Sequence, residues 1–241
     1  DMYAVEIKDV SKNYGSRKIF DHIKLNVNEG ELVAVTGPSG CGKSTLLNMI
    51  GALESWDQGE IRVFGQPVPR PDSRKATLFR RNIINYLFQS FALVTDLTVA
   101  QNLMLAMHFV RIPAKEKEAE MNRILEAVHL RKLKNAPVNT LSGGEQQRVA
   151  LARTMLKPGK LILADEPTGA LDEQSAQISF NLLKGLCRQY KKTVIMVTHS
   201  MDLARQADRV AQLTDPDREA LMTLTLADVQ EEGAGPDGDG A

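Results

Sequence analysis

The residues with the plainest chemical potential in this chain are Gly37-Pro38-Ser39-Gly40-Cys41-Gly42-Lys43-Ser44-Thr45, which fit the pattern GxxxxGK(S/T). They lie between a strand-like apolar run at 32–36 and a second apolar run at 46–50. Glycines let the backbone turn tightly enough for successive N–H groups to converge, and a helix opening just behind them adds its positive end. Phosphate fits such a concavity. Lys43 would then bridge the β- and γ-phosphates as a compact charge, and the Ser44 hydroxyl would ligate Mg²⁺. The pattern arises by chance in a chain of this size with odds on the order of one in a hundred. Cys41, beside Lys43 at a helix start, is expected to have thiolate character if solvent reaches it.

A second group is the apolar run 161–164 ending in Asp165 and Glu166. Acids at the C-terminal edge of a parallel strand sit where such sheets bind ligands. Asp165 is placed to hold Mg²⁺ through water, and Glu166 to orient or deprotonate an attacking water. Taken alone, the pair also reads as a solvated strand end. The third group is Leu141-Ser142-Gly143-Gly144-Glu145. Ser142 and Glu145 form the S-x-x-E capping box of a helix carrying Val149, Leu151, Ala152 and Met155. A capped helix does not need two glycines in its first turn, where each costs up to about 1 kcal/mol relative to Ala. Close approach of bare backbone to a ligand would explain them, making this helix start a second anion site.

These groups need a scaffold. β-rich runs at 5–10, 23–27, 32–36 and 60–64 suggest an N-terminal strand region, and the nearly continuous apolar runs at 161–164 and 193–197 suit strands buried on both faces of a parallel sheet. In between, Met121, Ile124, Leu125 and Val128 follow a helical period, which predicts a mostly helical insert over about 89–157. The expected fold is therefore α/β: a nucleotide-binding core from 1–88 and 158–228, interrupted by that insert. The end, 229–241, is acidic and poor in apolar groups, and is expected to be disordered.

Composition is compatible with this. The 241 residues are 43% hydrophobic and 25% charged, the balance of a globular chain able to bury a core. Thirty basic and thirty acidic side chains cancel, so no global field draws the chain to nucleic acid. All five charges after residue 226 are acidic, leaving a mild excess of positive charge before it. The longest nearly apolar run, 103–110, contains His108 and is far below the roughly 20 residues of a membrane helix, so no bilayer span is expected. The start carries no basic-then-apolar leader, and two cysteines allow at most one disulfide, so a reduced cytosolic setting is the simpler reading.

In this order and spacing, over about residues 3–213, the chain resembles the ATP-binding subunit of ABC transporters, with 37–45 as Walker A, 141–145 as the signature and 161–166 as Walker B. The resemblance implies a P-loop NTPase (RecA-like) parallel-sheet core with an N-terminal antiparallel β region and an inserted helical subdomain. It also implies adenine stacked on Tyr14, Gln89 sensing Mg²⁺ beside Ser44 and Asp165, a D-loop at Ala170-Leu171-Asp172, and a switch histidine, His199, on the γ-phosphate. Glu166, His199 and Lys43 would be the catalytic set. ATP and Mg²⁺ would be sandwiched between two copies of the chain, the signature residues Ser142 to Glu145 of one closing on the P-loop of the other. A transmembrane permease would dock near 89–97, with Phe91, Leu93, Val94 and Leu97 as candidates, at the cytoplasmic face of the plasma (inner) membrane.

Local wording, such as Asp165-Glu166-Pro167-Thr168-Gly169-Ala170-Leu171-Asp172, looks like the branch serving macrolide and peptide export and lipoprotein release. A module that regulates a membrane signalling or mechanotransmission complex without transport shares the same motifs. The chain departs from the family after 207–210. There 213–219 replaces the usual glycine-turned hairpin, and 221–226 alternates in the manner of a strand.

Overall fold

A computed structural model describes residues 2–38 and 40–213, together with the backbone of 222–224. Ser39 and the acidic segment 229–241 lie outside the described residues. The chain opens with two long strands, β1 (Tyr3–Tyr14) and β2 (Arg17–Asn28), followed by β3 (Leu32–Thr36) and helix α1 (Lys43–Ile50). Strands β4 (Gln58–Val63) and β5 (Gln66–Pro67), helix α2 (Arg74–Asn82) and strand β6 (Ile84–Phe88) come next. Helices α3 (Val99–Ala106), α4 (Ala114–Ala127) and α5 (Gly143–Leu156) lead to β7 (Leu161–Asp165). The chain continues through α6 (Glu173–Gln189), β8 (Thr193–Val197), α7 (Met201–Ala204), β9 (Arg209–Gln212) and β10 (Met222–Leu224).

Two sheets result. One is antiparallel, in the order β2-β1-β4-β5; the other runs β10-β9-β3-β8-β7-β6 and is parallel from β9 to β6. The strand-like alternation at 221–226 thus appears as β10, antiparallel to β9. β1 and β2 extend well past the apolar centres that mark them in sequence, because their hairpin carries polar residues out to Tyr14 and Arg17. Strands β3, β7 and β8 are buried almost throughout, as parallel strands covered on both faces must be.

Alternate residues of β3 point into different cores. Val33 and Val35 join the antiparallel sheet and α1, whereas Leu32 and Ala34 join a cluster containing α3, α4, α5 and α6. The helical segment therefore shares its apolar interior with one face of the parallel sheet. Sheet order decides which loops meet: β8 separates β3 from β7, and β6 is the far edge.

Candidate functional site

The loop after β3 is shaped by its glycines. Gly42 is left-handed (φ 96°) and caps α1 by backbone alone, so no side chain occupies the free N–H groups of the first turn. A Cβ at Gly42 would meet Ile19 Cγ2 at 2.7 Å and Phe20 Cζ at 2.9 Å; one at Gly37 would meet the Leu213 carbonyl at 2.7 Å. The loop is thus pressed against β2 on one side and the end of β9 on the other. Lys43 is buried, and its ammonium donates to the carbonyls of Gly37 at 2.7 Å and Pro38 at 3.0 Å. No carboxylate neutralises it among the described residues, so it remains a charge available to an anion.

Cys41 points the other way. Its side chain is buried in the β-sheet core, so the solvent access on which its reactivity was conditional is not provided, and its backbone is what faces a ligand.

The C-terminal ends of β7 and β8 complete the opposite wall. Ser44 Oγ donates to Asp165 Oδ2 at 2.9 Å. Glu166 follows in a left-handed conformation (φ 47°), a costly state for a non-glycine residue, with its N–H bonded to the Val197 carbonyl at 2.9 Å. That turn directs its carboxylate to His199, whose Nε2 lies 3.2 Å from Oε1. The orientation still leaves Oε1 buried without a hydrogen-bond donor. Burial raises the Glu166 pKa and Asp165 adds to the rise, while His199 and Lys43 oppose it. The result is a carboxylate with one buried, unsatisfied oxygen and enhanced basicity.

Tyr14, Arg17, Gly40, Lys43, Ser44, Thr45, Asp165, Glu166 and His199 line one cleft of about 380 Å³. Tyr14 donates to Glu54 and lies 3.4 Å from the Thr45 hydroxyl, with the Lys12 ammonium 5.0 Å from its ring centre. Arg17, whose Nη2 donates to the Gly40 carbonyl at 3.0 Å, was not expected from sequence. The available signal was its place just across a glycine turn from Tyr14.

The cleft suits a triphosphate with Mg²⁺. Ser44 and Asp165 present two hard oxygens side by side, and Mg²⁺ takes one or two protein oxygens together with substrate phosphates and water.

Two expected participants stand elsewhere. Gln89 follows Phe88, which pairs with Asp165 across β6 and β7, so it lies on the side of β7 away from β3. It lines an adjoining hollow of about 610 Å³ with Gly169, Leu171 and Ser200, and only Glu166 and His199 are shared with the first cleft. Its amide abuts Gly169, where a Cβ would be 3.1 Å from Nε2. In this arrangement Gln89 is not grouped with Ser44 and Asp165.

The signature lines neither hollow. Ser142 and Glu145 cap α5 reciprocally, Oγ accepting from the Glu145 N–H at 3.2 Å and Oε1 from the Ser142 N–H at 2.9 Å. The latter bond lowers the Glu145 pKa and turns that carboxylate back on its own helix rather than toward a nucleotide. Ser142 keeps a hydroxyl hydrogen to donate. A Cβ at Gly143 would sit 3.6 Å from Leu171 Cδ2, and one at Gly144 would sit 3.5 Å from Ser175 Oγ. Both are ordinary contacts, so the chain's own packing does not require either glycine.

The segment after Gln89 is only partly available for docking. Phe91 is buried among the helices, Leu93 packs against them, Leu97 is half-buried, and Val94 is exposed. Arg153 of α5 donates to the carbonyls of Phe91 at 2.8 Å and of Ala92, and burial lowers its pKa. Among the described residues no helix is long and apolar enough to cross a membrane.

A glycine loop feeding a helix, with a strand-end acid pair across a parallel sheet, defines a P-loop nucleoside triphosphatase. The ABC transporter family profile matches residues 20–169. The chain is 39% identical over 219 residues to the ABC transporter ATP-binding protein MJ0796 of Methanocaldococcus jannaschii, covering 88% of this chain and 93% of that one. It is 35% identical to the lipoprotein-releasing system ATP-binding protein LolD of Bacteroides fragilis, covering 88% and 98% respectively. The dimeric post-hydrolysis structure of MJ0796 bound to ADP and Pi superposes with a TM-score of 0.76 at 35% identity, over 92% of this chain and 98% of that one. The chain belongs to the ABC transporter family, as an ATP-binding and ATP-hydrolysing subunit.

Proposed function

We propose that two copies of this chain clamp two ATP molecules head to tail and use the closing and reopening to drive a membrane permease at the cytoplasmic face of the inner membrane. The observation that carries this reading is the pair of signature glycines. They stand at an open helix start away from the chain's own P-loop cleft, and nothing in the chain's own packing demands them. Bare backbone there suits a phosphate brought by a second copy. Relatives named for lipoprotein release and, in the Vibrio parahaemolyticus protein MacB, for macrolide export support the extraction or export branch.

Each side chain then has a task. Lys43 leaves the Gly37 and Pro38 carbonyls for the β- and γ-phosphate oxygens, and Tyr14 walls the base. Ser44 and Asp165 would hold Mg²⁺, which would supply neutralisation of the phosphate charge there. The Glu166 carboxylate accepts a proton from the attacking water as oxygen bonds to the γ-phosphorus. The γ-phosphorus bond to the bridging oxygen breaks, its electron pair staying on ADP. His199 holds Glu166 and the γ-phosphate side in register. Gln89, one hollow away, reports closure to the permease as segment 89–157 moves against 1–88 and 158–228.

Glu166→Gln, expected to keep ATP bound while slowing its turnover, tests the clamp. Size-exclusion chromatography with MgATP should show a dimer that dissociates when ATP is removed and that a further Gly144→Val substitution prevents. A Glu166→Gln chain that stays monomeric in saturating MgATP would refute the proposal.

A further inference from the structure

The hairpin joining β1 and β2 ends at Gly15 (φ 58°), and Tyr14 and Arg17 are direct partners across it. Residues opposed in this way project to the same face of an antiparallel pair. Tyr14 reaches the Thr45 end of the glycine loop, and Arg17 reaches Gly40, so the hairpin lays both over one cleft. Lys18, next in sequence, faces the opposite way and pairs with Asp21 at 3.1 Å. Arg17 has no carboxylate within ion-pair distance among the described residues. One of its five N–H donors serves the Gly40 carbonyl, and the remainder of a permanently charged planar fork is left over for the cleft. A guanidinium needing only to brace a loop would be expected to find an acid. Asp165 and Glu166 line this same cleft, yet Arg17 stays on the loop side.

We infer that Arg17 is a second cationic ligand of the phosphate chain, delivered over the rim of the glycine loop from the side opposite Asp165 and Glu166. Its fork matches pairs of phosphate oxygens in a way the single ammonium of Lys43 does not. The two cations therefore hold the chain from beneath and from above. This rests on the cleft being the triphosphate site.

Competition binding against a fluorescent ATP analogue tests it, using MgATP and inorganic tripolyphosphate as separate competitors. Arg17→Ala and Arg17→Gln should each weaken both competitors by on the order of 10- to 100-fold, the range for a charge-assisted contact. Arg17→Lys should recover part of that loss, with the urea midpoint unchanged throughout. Full affinity in Arg17→Gln, which removes the charged fork, would show that no phosphate contact is made by Arg17 and overturn the inference. A loss for ATP without one for tripolyphosphate would move the contact to the base or sugar and overturn it equally. Lys43→Ala separates the two levels. If it also leaves both competitors unaffected, the cleft itself is misread; if it weakens both while the Arg17 variants do not, only Arg17 is.

Discussion

Gly42→Ala puts the geometry of the cradle under direct test. The added methyl group would sit 2.7 Å from Ile19 Cγ2 and 2.9 Å from Phe20 Cζ, at a backbone φ of 96°. Holding an L-residue in the left-handed region costs roughly 1–2 kcal/mol, and overfilling a packed site costs typically about 1–3 kcal/mol. Together these come to about 2–5 kcal/mol, a large part of a domain stability of about 5–15 kcal/mol. Urea unfolding followed by tryptophan fluorescence should show a midpoint lowered by about 1 M or more, given slopes of about 1–3 kcal/mol per M. A double-mutant cycle locates the cause. Ile19→Ala removes Cγ2, so combining it with Gly42→Ala should relieve part of the clash and give a coupling of about 1 kcal/mol or more, with the double variant more stable than the sum predicts. The φ cost stays in every Gly42→Ala background. Additivity within about 0.5 kcal/mol, or a wild-type midpoint for Gly42→Ala, would show that the loop is not seated against β2 in this way.

Glu166→Gln should lower single-turnover ATP hydrolysis by on the order of 10² to 10⁴ with nucleotide affinity kept, and undiminished turnover would remove Glu166 from the base role. The wild-type rate should fall as pH drops through a Glu166 pKa above the ordinary carboxylate range, because the base must be ionised. A raised carboxyl pKa means the folded chain holds a proton the unfolded chain has released, so the cost of the buried charge is present above the folded pKa and absent below the unfolded one. Glu166→Gln should therefore stabilise the apo chain at neutral pH, with the gain fading toward pH 4 in urea titrations. Lys192 donates to the carbonyls of Thr154, Lys157 and Gly159, and burial pushes its pKa down to about 8. Between about pH 8 and the usual lysine value the unfolded chain binds a proton the folded one lacks, so this group makes stability rise with pH by at most about 1.4 kcal/mol per unit. Comparing urea midpoints across that window, Lys192→Met should lose this slope, and parallel pH curves for the two chains would refute the assignment.

What could be read from sequence was what contiguity dictates. The glycine loop, the acid pair closing β7 and the capping box at Ser142 are each made within a few residues, and each appears in the structure with the local geometry its residue types impose. What could not be read depends on partners far along the chain. Strand β6 is hidden by Asn85, a polar residue in its interior that is buried only because its amide donates to the Gly159 carbonyl at 2.8 Å. Helix α2 is short, strongly basic and buries a single alanine, so it has too few apolar residues to stand out in the sequence. Phe91 reads as a docking residue until α5 is known to pass beneath it and Arg153 to grip its carbonyl.

The position of Gln89 follows from sheet order. Because β8 is inserted between β3 and β7, the P-loop and Gln89 are delivered to opposite flanks of Glu166. Glu166 and His199 form the partition between a phosphate cleft and a second hollow bordered by Gln89, Gly169 and Leu171, and Leu171 in turn underlies Gly143 of the signature. The phosphate cleft, the second hollow and the signature helix start are therefore neighbours in series, with Glu166 and His199 at the first boundary and Leu171 at the second.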